Sequence, residues 1–479
     1  MYLVSKNHDI HQENLEKIQL DFAPLRDFQR DAILNFLARM DSPLIHAPTG
    51  SGKSVIMAYL VKYAAEVLNW KIVIAIHGVH LIDQFAGHLQ KFRIGFGVIQ
   101  GNHKLTDHGK KVQLVSIDTA GRRKLYPKAD LIIVDECHRA MSAIWLKFFK
   151  NYSCPVVGFT ATPYIRSGFN RVFSRVIRPV LFDQLVKLGF LVAPRYFALV
   201  KIDTKKLNIR NGEYAPEDVE LACNTEKVFE EILNDFRKHD EGKPALGFCV
   251  SIAHAQAMEE YFSANGVPAA SIDHSVKLGE RKQILDDLLC GNLRIVFNIE
   301  TLTTGVDLPP VSLLLLCRPT KSKIIYIQTV GRGTRPYPGK SYCKVLDFSG
   351  NIAEHGFVED APAAWMEPAK VHSAPEIFMT TCPECECVFK MTKDRECPEC
   401  GREFPEPAST DSERPMSQQE TALRELDRDF CIQAVKKIAR QCKAAGYKEG
   451  AVFHRFAEEY GATLAKRYCP YNRIYELYT

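Results

Sequence analysis

The sequence predicts an α/β protein with two tandem domains, each built around a doubly wound parallel sheet. Short apolar runs recur along the chain, and a turn and a helical pattern follow each of them. Their apolarity is continuous rather than alternating, which indicates strands that helices bury on both faces. The runs fall into two sets, and 479 residues exceed the usual size of one compact core, so we expect two domains.

Each set of apolar runs predicts the strands of one sheet. The first set is LIH (44–46), KIVIAI (71–76), VQLVSI (112–117), LIIVDE (131–136) and PVVGFT (155–160). The second set is ALGFCV (245–250), RIVFNI (294–299), VSLLLLC (311–317) and CKVLDF (343–348). We place the break near 178–195, where Pro179 and Pro194 bracket a short apolar segment. This gives domains at 1–180 and 181–360.

Bulk composition narrows the class of protein. Hydrophobic residues make up 46% and charged residues 25%, which is ordinary for a soluble globular chain. A net charge of +5 permits a basic groove but does not by itself argue for nucleic acid. The first residues lack the apolar stretch of a signal peptide, and no run approaches the roughly 20 residues of a membrane helix. We therefore expect no membrane partner and a cytoplasmic location, in a bacterium or a phage-infected host cell.

The pattern of strands and helices stops near residue 360. Residues 361–376 are rich in Ala and Pro, and 405–416 have the composition of a polar linker. Ser417 and Glu420 then form a capping-box signature ahead of apolar residues at helical spacing. We therefore expect a helical tail over 417–479, which is one candidate contact for a protein partner.

The most specific motif is APTGSGKS at 47–54, which we call the phosphate loop. It lies between a predicted strand and a predicted helix, and its inner glycines let backbone N–H groups curl around phosphate oxygens. Lys53 is expected to reach the β- and γ-phosphates of ATP, and the Ser54 hydroxyl to hold Mg²⁺. The alternative is a chance Gly-Lys-Ser turn, which the flanking elements disfavour. The candidate nucleotide contacts are Thr49, Gly50, Ser51, Gly52, Lys53 and Ser54.

A second motif, LIIVDECH (131–138), is an apolar strand that ends in two carboxylates. Ligands of open α/β sheets bind at the carboxyl ends of strands, so Asp135 and Glu136 are expected beside the bound nucleotide. Asp135 would hold Mg²⁺, through water, and Glu136 would polarise the attacking water. Alone, such a pair is more often solvated, but the phosphate loop upstream favours the catalytic interpretation.

Three further segments accompany these two motifs. GFTATP (158–163) follows a strand in the first domain, and ETLTTGVDLP (300–309) and QTVGRGTR (328–335) lie in the second. Arg332 and Arg335 are three residues apart, so a helix would place both on one face. Two guanidinium groups directed at a γ-phosphate would neutralise the charge that phosphoryl transfer develops. Two solvated arginines at a helix end are the alternative.

Taken in order, these segments resemble the superfamily 2 helicases, in the DExH-type group that includes RecG-, UvsW- and XPB-like motors. The resemblance covers residues 25–348 and implies two RecA-like domains that hydrolyse ATP with Mg²⁺ and act on nucleic acid. The family's usual phosphate loop begins with alanine, as this one does at Ala47. The segments that carry the resemblance are LRDFQRDAI (25–33), APTGSGKS, HGVHLIDQF (77–85), SIDTAGR (116–122), DECH, TAT, ALGFCVSIAHA (245–255), LTTGVD and QTVGRGTR.

The resemblance also implies roles for individual residues. Arg26 and Gln29 would contact the adenine base. Arg332 and Arg335 would be arginine fingers, and Gln328 and His138 would communicate across the cleft between the domains. The implied contacts to nucleic acid are Gln84, Thr119, Thr303 and Thr304. The residues that would couple this contact to the nucleotide are Gly305 and Asp307.

The densest cysteine group predicts a metal site. Two CPEC repeats give Cys382-x2-Cys385, eleven residues, then Cys397-x2-Cys400, the form of a four-thiolate Zn²⁺ site in a ribbon at 376–406. Cys387 is not expected to be a ligand, and four unrelated thiols are the alternative. Most other cysteines lie singly in apolar runs, as in a reducing compartment. A ribbon of this kind could bind DNA, bind protein or be purely structural.

Two functions remain in competition. The first is an ATP-dependent DNA helicase or translocase that unwinds or remodels duplex or branched DNA, in repair, recombination or replication. The second is an ATP-gated clamp or sensor on nucleic acid, RNA included, that recruits partners without processive unwinding. The intact segments at 300–309 and 328–335 favour the first, with DNA as the expected partner. No nuclease motif is recognised.

Overall fold

The structure is a computed structural model that describes residues 11–18, 24–77, 79–163, 168–210, 212–299, 308–360, 379–392 and 395–405. The tail expected over 417–479 lies outside these ranges, as do Thr303, Thr304, Gly305 and Asp307. The chain divides into two units, Met1–Glu403 and Phe404–Thr479, and the first contains the fold described below. Within the described ranges, no helix is long and apolar enough to cross a membrane.

Parallel pairing joins the seven strands of the first sheet within the described residues. They are β1 (Pro43–His46), β2 (Ile72–Ile76), β3 (Phe96–Ile99), β4 (Val112–Ser116), β5 (Leu131–Val134), β6 (Val156–Thr160) and β7 (Arg175–Ile177). Their spatial order is β3-β4-β2-β5-β6-β1-β7. The five central strands are the predicted ones, and every residue in them is buried. The edge strands β3 and β7 were not predicted.

Helices cover both faces of this sheet. They are α1 (Asp27–Leu37), α2 (Lys53–Glu66), α3 (Val79–Lys91), α4 (Ile117–Arg123) and α5 (Ala143–Phe149). Along β2, Ile72, Ile74 and Ile76 join the apolar cluster that includes α1, α2 and α3. Val73 and Ala75 join the cluster that includes α4 and α5. Alternate side chains of a strand point to opposite faces, so a continuous apolar run serves two cores.

A second sheet follows in the chain. Its strands are β8 (Ala193–Ala198), β11 (Ala245–Phe248), β12 (Ala269–Ile272), β13 (Ile295–Asn298), β14 (Leu313–Leu316), β15 (Tyr342–Asp347), β16 (Thr380–Thr381) and β17 (Cys387–Phe389). The order is β12-β13-β11-β14-β15-β8-β17-β16, parallel from β12 to β8. A separate hairpin consists of β9 (Ile209–Arg210) and β10 (Glu213–Tyr214). The helices are α6 (Phe182–Lys187), α7 (Pro216–Cys223), α8 (Glu226–His239), α9 (Ile252–Ala264), α10 (Leu278–Cys290), α11 (Lys323–Gly333) and α12 (Asn351–His355).

The predicted fold class, two doubly wound parallel sheets in tandem, is confirmed. The segment expected to be a break between them contains more structure than the sequence suggested. It holds α6 and then β8, and Pro194 lies inside that strand. Proline is tolerated there because β17 pairs with β8 at Tyr196 and Phe197, beyond the position of Pro194. The domain limits at 180 and 181 remain a prediction.

The cysteine ribbon is attached to the second sheet. Its strand β17 pairs antiparallel with β8, with Cys387 opposite Phe197, and the Ala198 N–H donates to the Glu386 carbonyl at 3.1 Å. The carboxylate of Glu399 adds ion pairs to Arg195 at 2.7 Å and to Lys344 at 3.2 Å. The ribbon expected at 376–406 therefore continues the second sheet past β8.

Candidate nucleotide site and metal site

The phosphate loop leaves β1 and enters α2 at Lys53. Gly52 has φ +82°, in the left-handed region that glycine adopts without strain, and a Cβ there would lie 2.5 Å from Gln29 Nε2. The Lys53 ammonium donates to the carbonyls of Ala47 at 3.2 Å and Pro48 at 3.4 Å, and Ser54 is exposed. A cation, a hydroxyl and the N-terminus of a 14-residue helix thus meet at the loop, which suits a nucleotide phosphate with its Mg²⁺.

Gln29 fixes the phosphate loop to the segment predicted to bind adenine. Its buried side chain accepts from the Arg26 N–H at 3.0 Å and donates to the Ser51 carbonyl at 2.9 Å. These two bonds use one amide hydrogen and one acceptor site, so a second N–H of the amide remains for a base. The base contact itself stays a prediction.

The acidic pair follows β5 at the same edge of the sheet. Glu136 has φ +46°, an uncommon backbone conformation for a residue with a side chain, and its N–H donates to Asp135 Oδ1 at 2.9 Å. Burial, followed by the charge of Glu136, raises the pKa of Asp135. Burial acts to raise the pKa of Glu136 as well, but His138 and the charge of Lys53 together hold it below its ordinary value. Glu136 therefore keeps its charge, as a residue that polarises water must.

His138 connects the acidic pair to GFTATP. Its buried Nδ1 lies 3.2 Å from Thr160 Oγ1, 3.3 Å from Thr162 Oγ1 and 3.2 Å from Glu136 Oε2. These three partners belong to the first domain, whereas the resemblance implied communication with Gln328 across the cleft. The communication of His138 with Gln328 across the cleft stays a prediction.

The positions of Arg332 and Arg335 differ from the expectation that both lie on one face of a helix. Arg332 and the buried Gln328 lie in α11, but this helix ends at Gly333, so Arg335 lies beyond it. The expectation of one helical face for both arginines is wrong because Pro336 follows Arg335, and a residue before proline avoids the α conformation. The Thr334 carbonyl leaves the helical pattern and accepts the Val192 N–H at 2.8 Å.

One close approach brings α11 to the phosphate loop. A Cβ placed on Gly331 would lie 3.0 Å from Thr49 Cβ and 3.1 Å from its Cγ2, a contact that only glycine avoids without a shift of its neighbour. Arg332 is the next residue. The helix that carries the predicted arginine finger thus packs on the loop predicted to hold the phosphates.

The predicted nucleic-acid contacts are only partly within the described residues. Thr119 lies in α4, and its N–H donates to the capping Ser116 hydroxyl at 3.4 Å. It lines an open polar cleft that also includes Arg122, Arg123 and the turn at 100–103. Gln84 is in α3, but its side chain is not described, and the segment with Thr303, Thr304, Gly305 and Asp307 lies outside.

The four predicted metal ligands converge. The sulfurs of Cys382, Cys385, Cys397 and Cys400 all lie within 4.8 Å of one another. The Cys382–Cys400 and Cys385–Cys397 pairs are 3.6 and 3.5 Å apart, far longer than a disulfide of about 2.05 Å. Tetrahedral Zn–S bonds of about 2.3 Å would set sulfurs about 3.8 Å apart, so the donor set fits Zn²⁺. Cys387 is buried in β17 and does not belong to this set.

Two residues next to the nucleotide site were not foreseen. Phe190 and Leu191 lie between α6 and β8, in the segment predicted as the break between the two domains. The Phe190 ring centroid is 3.5 Å from the Arg26 guanidinium, and a Cβ on Gly50 would lie 2.5 Å from Leu191 Cδ2. The signal in the sequence was Leu-Gly-Phe-Leu at 188–191, a glycine that ends a helix followed by two large apolar residues.

Comparison with known proteins identifies both halves of the chain. Residues 22–165 match the family described as type III restriction enzyme, res subunit, and residues 225–336 match the helicase conserved C-terminal domain. A 51.5 kDa protein of a Lactococcus phage is 27% identical over 75% of this chain and 78% of its own length. The ATP-dependent helicase IRC3 of Saccharomyces cerevisiae is 28% identical over 68% of this chain and 51% of its own length. The ATP-dependent DNA helicase UvsW of phage T4 is 22% identical over 67% of each.

A solved structure supports the same fold. The ATP-dependent type ISP restriction-modification enzyme LlaBIII bound to DNA superposes with a TM-score of 0.52 at 18% identity, over 67% of this chain and 27% of that one. The two matched families cover the phosphate loop, the acidic pair and α11. The chain therefore belongs to the superfamily 2 helicases, the ATP-hydrolysing family that its motifs resemble.

Proposed function

We propose that this protein is an ATP-dependent DNA helicase or translocase that unwinds or remodels duplex or branched DNA. The observation that carries the proposal is the packing of Gly331 on Thr49. Because α11 and the phosphate loop come from different sheets, a nucleotide at the loop would be completed by Arg332 from the other domain. Hydrolysis would then depend on how the two domains are arranged. A bound strand of nucleic acid could change that arrangement.

Within this site each residue has a defined task. Lys53 and the loop N–H groups would bind the β- and γ-phosphates, while Ser54 and Asp135 would hold Mg²⁺, the latter through water. Glu136 orients and polarises the attacking water, and the His138 imidazole lies 3.2 Å from its Oε2. Arg332 and Arg335 stabilise charge on the transferred phosphoryl group. Gln328 lies one turn before Arg332 and, with His138, would communicate across the cleft between the domains.

Two observations bear on the substrate, of which the first supports nucleic acid in general and the second favours DNA. The cleft beside Thr119 presents Arg122 and Arg123 to one side of the first domain, as a phosphate backbone requires. Among the relatives, UvsW is named as a DNA helicase, and the solved restriction enzyme is bound to DNA. The segment at 300–307 would supply the second domain's contacts, through Thr303 and Thr304.

ATP hydrolysis and strand displacement, measured together, test the proposal. We expect turnover to rise with duplex or forked DNA and labelled strands to separate. Glu136→Gln should bind ATP normally but lose turnover by roughly 10²-fold or more, because an amide cannot accept the proton of water. Stimulated hydrolysis with neither displacement nor translocation would favour the clamp, and stimulation by RNA alone would exclude DNA as the substrate.

A further inference from the structure

We propose that Phe190 is a positioning residue for recognition of the nucleotide base, acting through Arg26. This inference rests on the proposed ATP-dependent function and adds a residue that neither the family motifs nor the sequence pattern assigned. The substrate feature concerned is the purine ring of ATP, not its phosphates.

The contact between Phe190 and Arg26 is close. The guanidinium carbon is 3.5 Å from the Phe190 ring centroid, against 6.0 Å for Phe28, where cation–π contacts extend to about 6 Å. A planar guanidinium that lies on a ring at this distance has one face covered and its orientation fixed. A purine that binds here would meet a guanidinium that the ring already holds in place.

Arg26 also has an unused donor. Its Nη1 is buried and has no hydrogen-bond partner among the residues that the structure describes. A buried donor without a partner costs free energy, and a ring nitrogen of a base or a ribose oxygen would satisfy it. The Arg26 backbone is connected to the phosphate loop through the Gln29 side chain, so we expect the base of a nucleotide on the loop to lie near this region.

A rigid local motif holds Phe190 in place. At the end of α6, Gly189 has φ +73°, and its N–H donates to the Val186 carbonyl at 3.0 Å. The Phe190 N–H donates to the Leu185 carbonyl at 2.8 Å, and Phe190 packs in one apolar cluster with Leu185. These bonds form a Schellman motif, which fixes the direction of the residue after the glycine.

The same segment reaches the second domain. Two residues after Phe190, the Val192 N–H bonds to the Thr334 carbonyl beside Arg335, and Leu191 lies against Gly50. A base held by Arg26 and Phe190 is therefore connected through three residues to the end of α11. We infer that this segment makes base binding sensitive to the arrangement of the two domains.

Equilibrium binding by calorimetry tests the role directly, because it does not require turnover. We expect Phe190→Ala to weaken ATP binding roughly tenfold while leaving the binding of inorganic triphosphate, which lacks a base, within about twofold. Phe190→Tyr should restore ATP binding. Phe182→Ala is the matched control: its ring lies in the same apolar cluster, so it should cost stability without changing either affinity.

A double-mutant cycle tests whether Phe190 acts through Arg26. Arg26→Lys keeps the charge but loses the planar face, so adding Phe190→Ala to it should cost little more than Arg26→Lys alone. Gly189→Ala keeps the ring but strains the motif, and it should weaken ATP binding without affecting triphosphate. Equal loss of ATP and triphosphate affinity, no loss of either, or additive effects of the two variants would each overturn the inference. Absence of DNA-stimulated hydrolysis in the wild type would instead count against the proposed function.

Discussion

The nucleotide site and the metal site are assembled in opposite ways. The residues around the phosphate loop come from positions as far apart as Arg26 and Gly331, and two sheets bring them together. The four sulfurs of the metal site come from a single stretch, 382–400, and need no other element to meet. Yet the ribbon around those sulfurs is bound into the second sheet through β17. The ligands of the metal site are close together in the sequence, but the ribbon that carries them pairs with a strand that is distant in the sequence.

The largest expected effect lies in the nucleotide site. Lys53→Ala should reduce ATP hydrolysis by roughly 10³-fold, since the phosphates lose the cation that the loop supplies. Zinc content should not change, because the metal ligands are remote in the chain. Steady-state hydrolysis and elemental analysis on the same preparation measure both, with Lys282→Ala on the exposed face of α10 as control. A Lys53 variant that hydrolyses ATP at the wild-type rate would remove the loop from the mechanism.

An intermediate effect should follow loss of the metal. Cys397→Ser should release Zn²⁺, and because zinc supplies roughly 10 kcal/mol or more of folding free energy in such sites, β17 should separate from β8. Hydrogen exchange of the Ala198 amide, which bonds to Glu386, should then accelerate. The Leu199 amide, bonded to Asp347, should stay protected.

Cys387→Ala is the matched control for the metal variant. It changes a thiol in the same strand but outside the ligand set, so it should keep both the metal and the protection of Ala198. ATP binding should survive in both variants, since the phosphate loop lies in the other sheet. Unchanged exchange at Ala198 after metal loss would mean that the attachment does not depend on the ion.

The smallest effect concerns the ion pairs between the ribbon and the sheet. Glu399→Gln removes the partner of Arg195 and one of two partners of Lys344, which also pairs with Glu241 at 2.8 Å. Because Arg195 is partly exposed and Lys344 keeps its pair with Glu241, we expect a loss of about 1 kcal/mol in urea unfolding, with metal retained. Glu384→Gln, which breaks an exposed pair with Arg402 inside the ribbon, is the control and should cost less. A loss of several kcal/mol would mean that Glu399 and not the metal holds the ribbon.

The sequence allowed the fold class and the metal ligands to be predicted, for different physical reasons. Continuous apolar runs indicate strands that are buried on both faces. The spacing of the four cysteines indicates a tetrahedral metal site. The resemblance to helicases then supplied the order of the nucleotide segments. It could not supply the contact of Gly331 with Thr49, because no local pattern encodes how two sheets approach each other.

Other features were readable but were overlooked. Pro336 indicates that Arg335 lies outside the helix. Leu-Gly-Phe at 188–190 indicates the Schellman motif that orients Phe190. The attachment of β17 to β8 was not readable, since a short ribbon strand such as Cys-Val-Phe pairs with any open edge that tertiary structure offers. Sequence reasoning therefore missed two readable local features and one pairing that only the tertiary structure determines.

Pairing between β8 and β17 has a further consequence for the protein in solution. A strand at the border of a sheet carries a row of unsatisfied N–H and C=O groups, and such borders recruit strands from other molecules. In this chain β8 includes Tyr196 and Phe197, whose β-forming side chains would make an uncovered border adhesive. The ribbon covers that border with its own short strand, and Zn²⁺ bound by the four cysteines would keep the border covered.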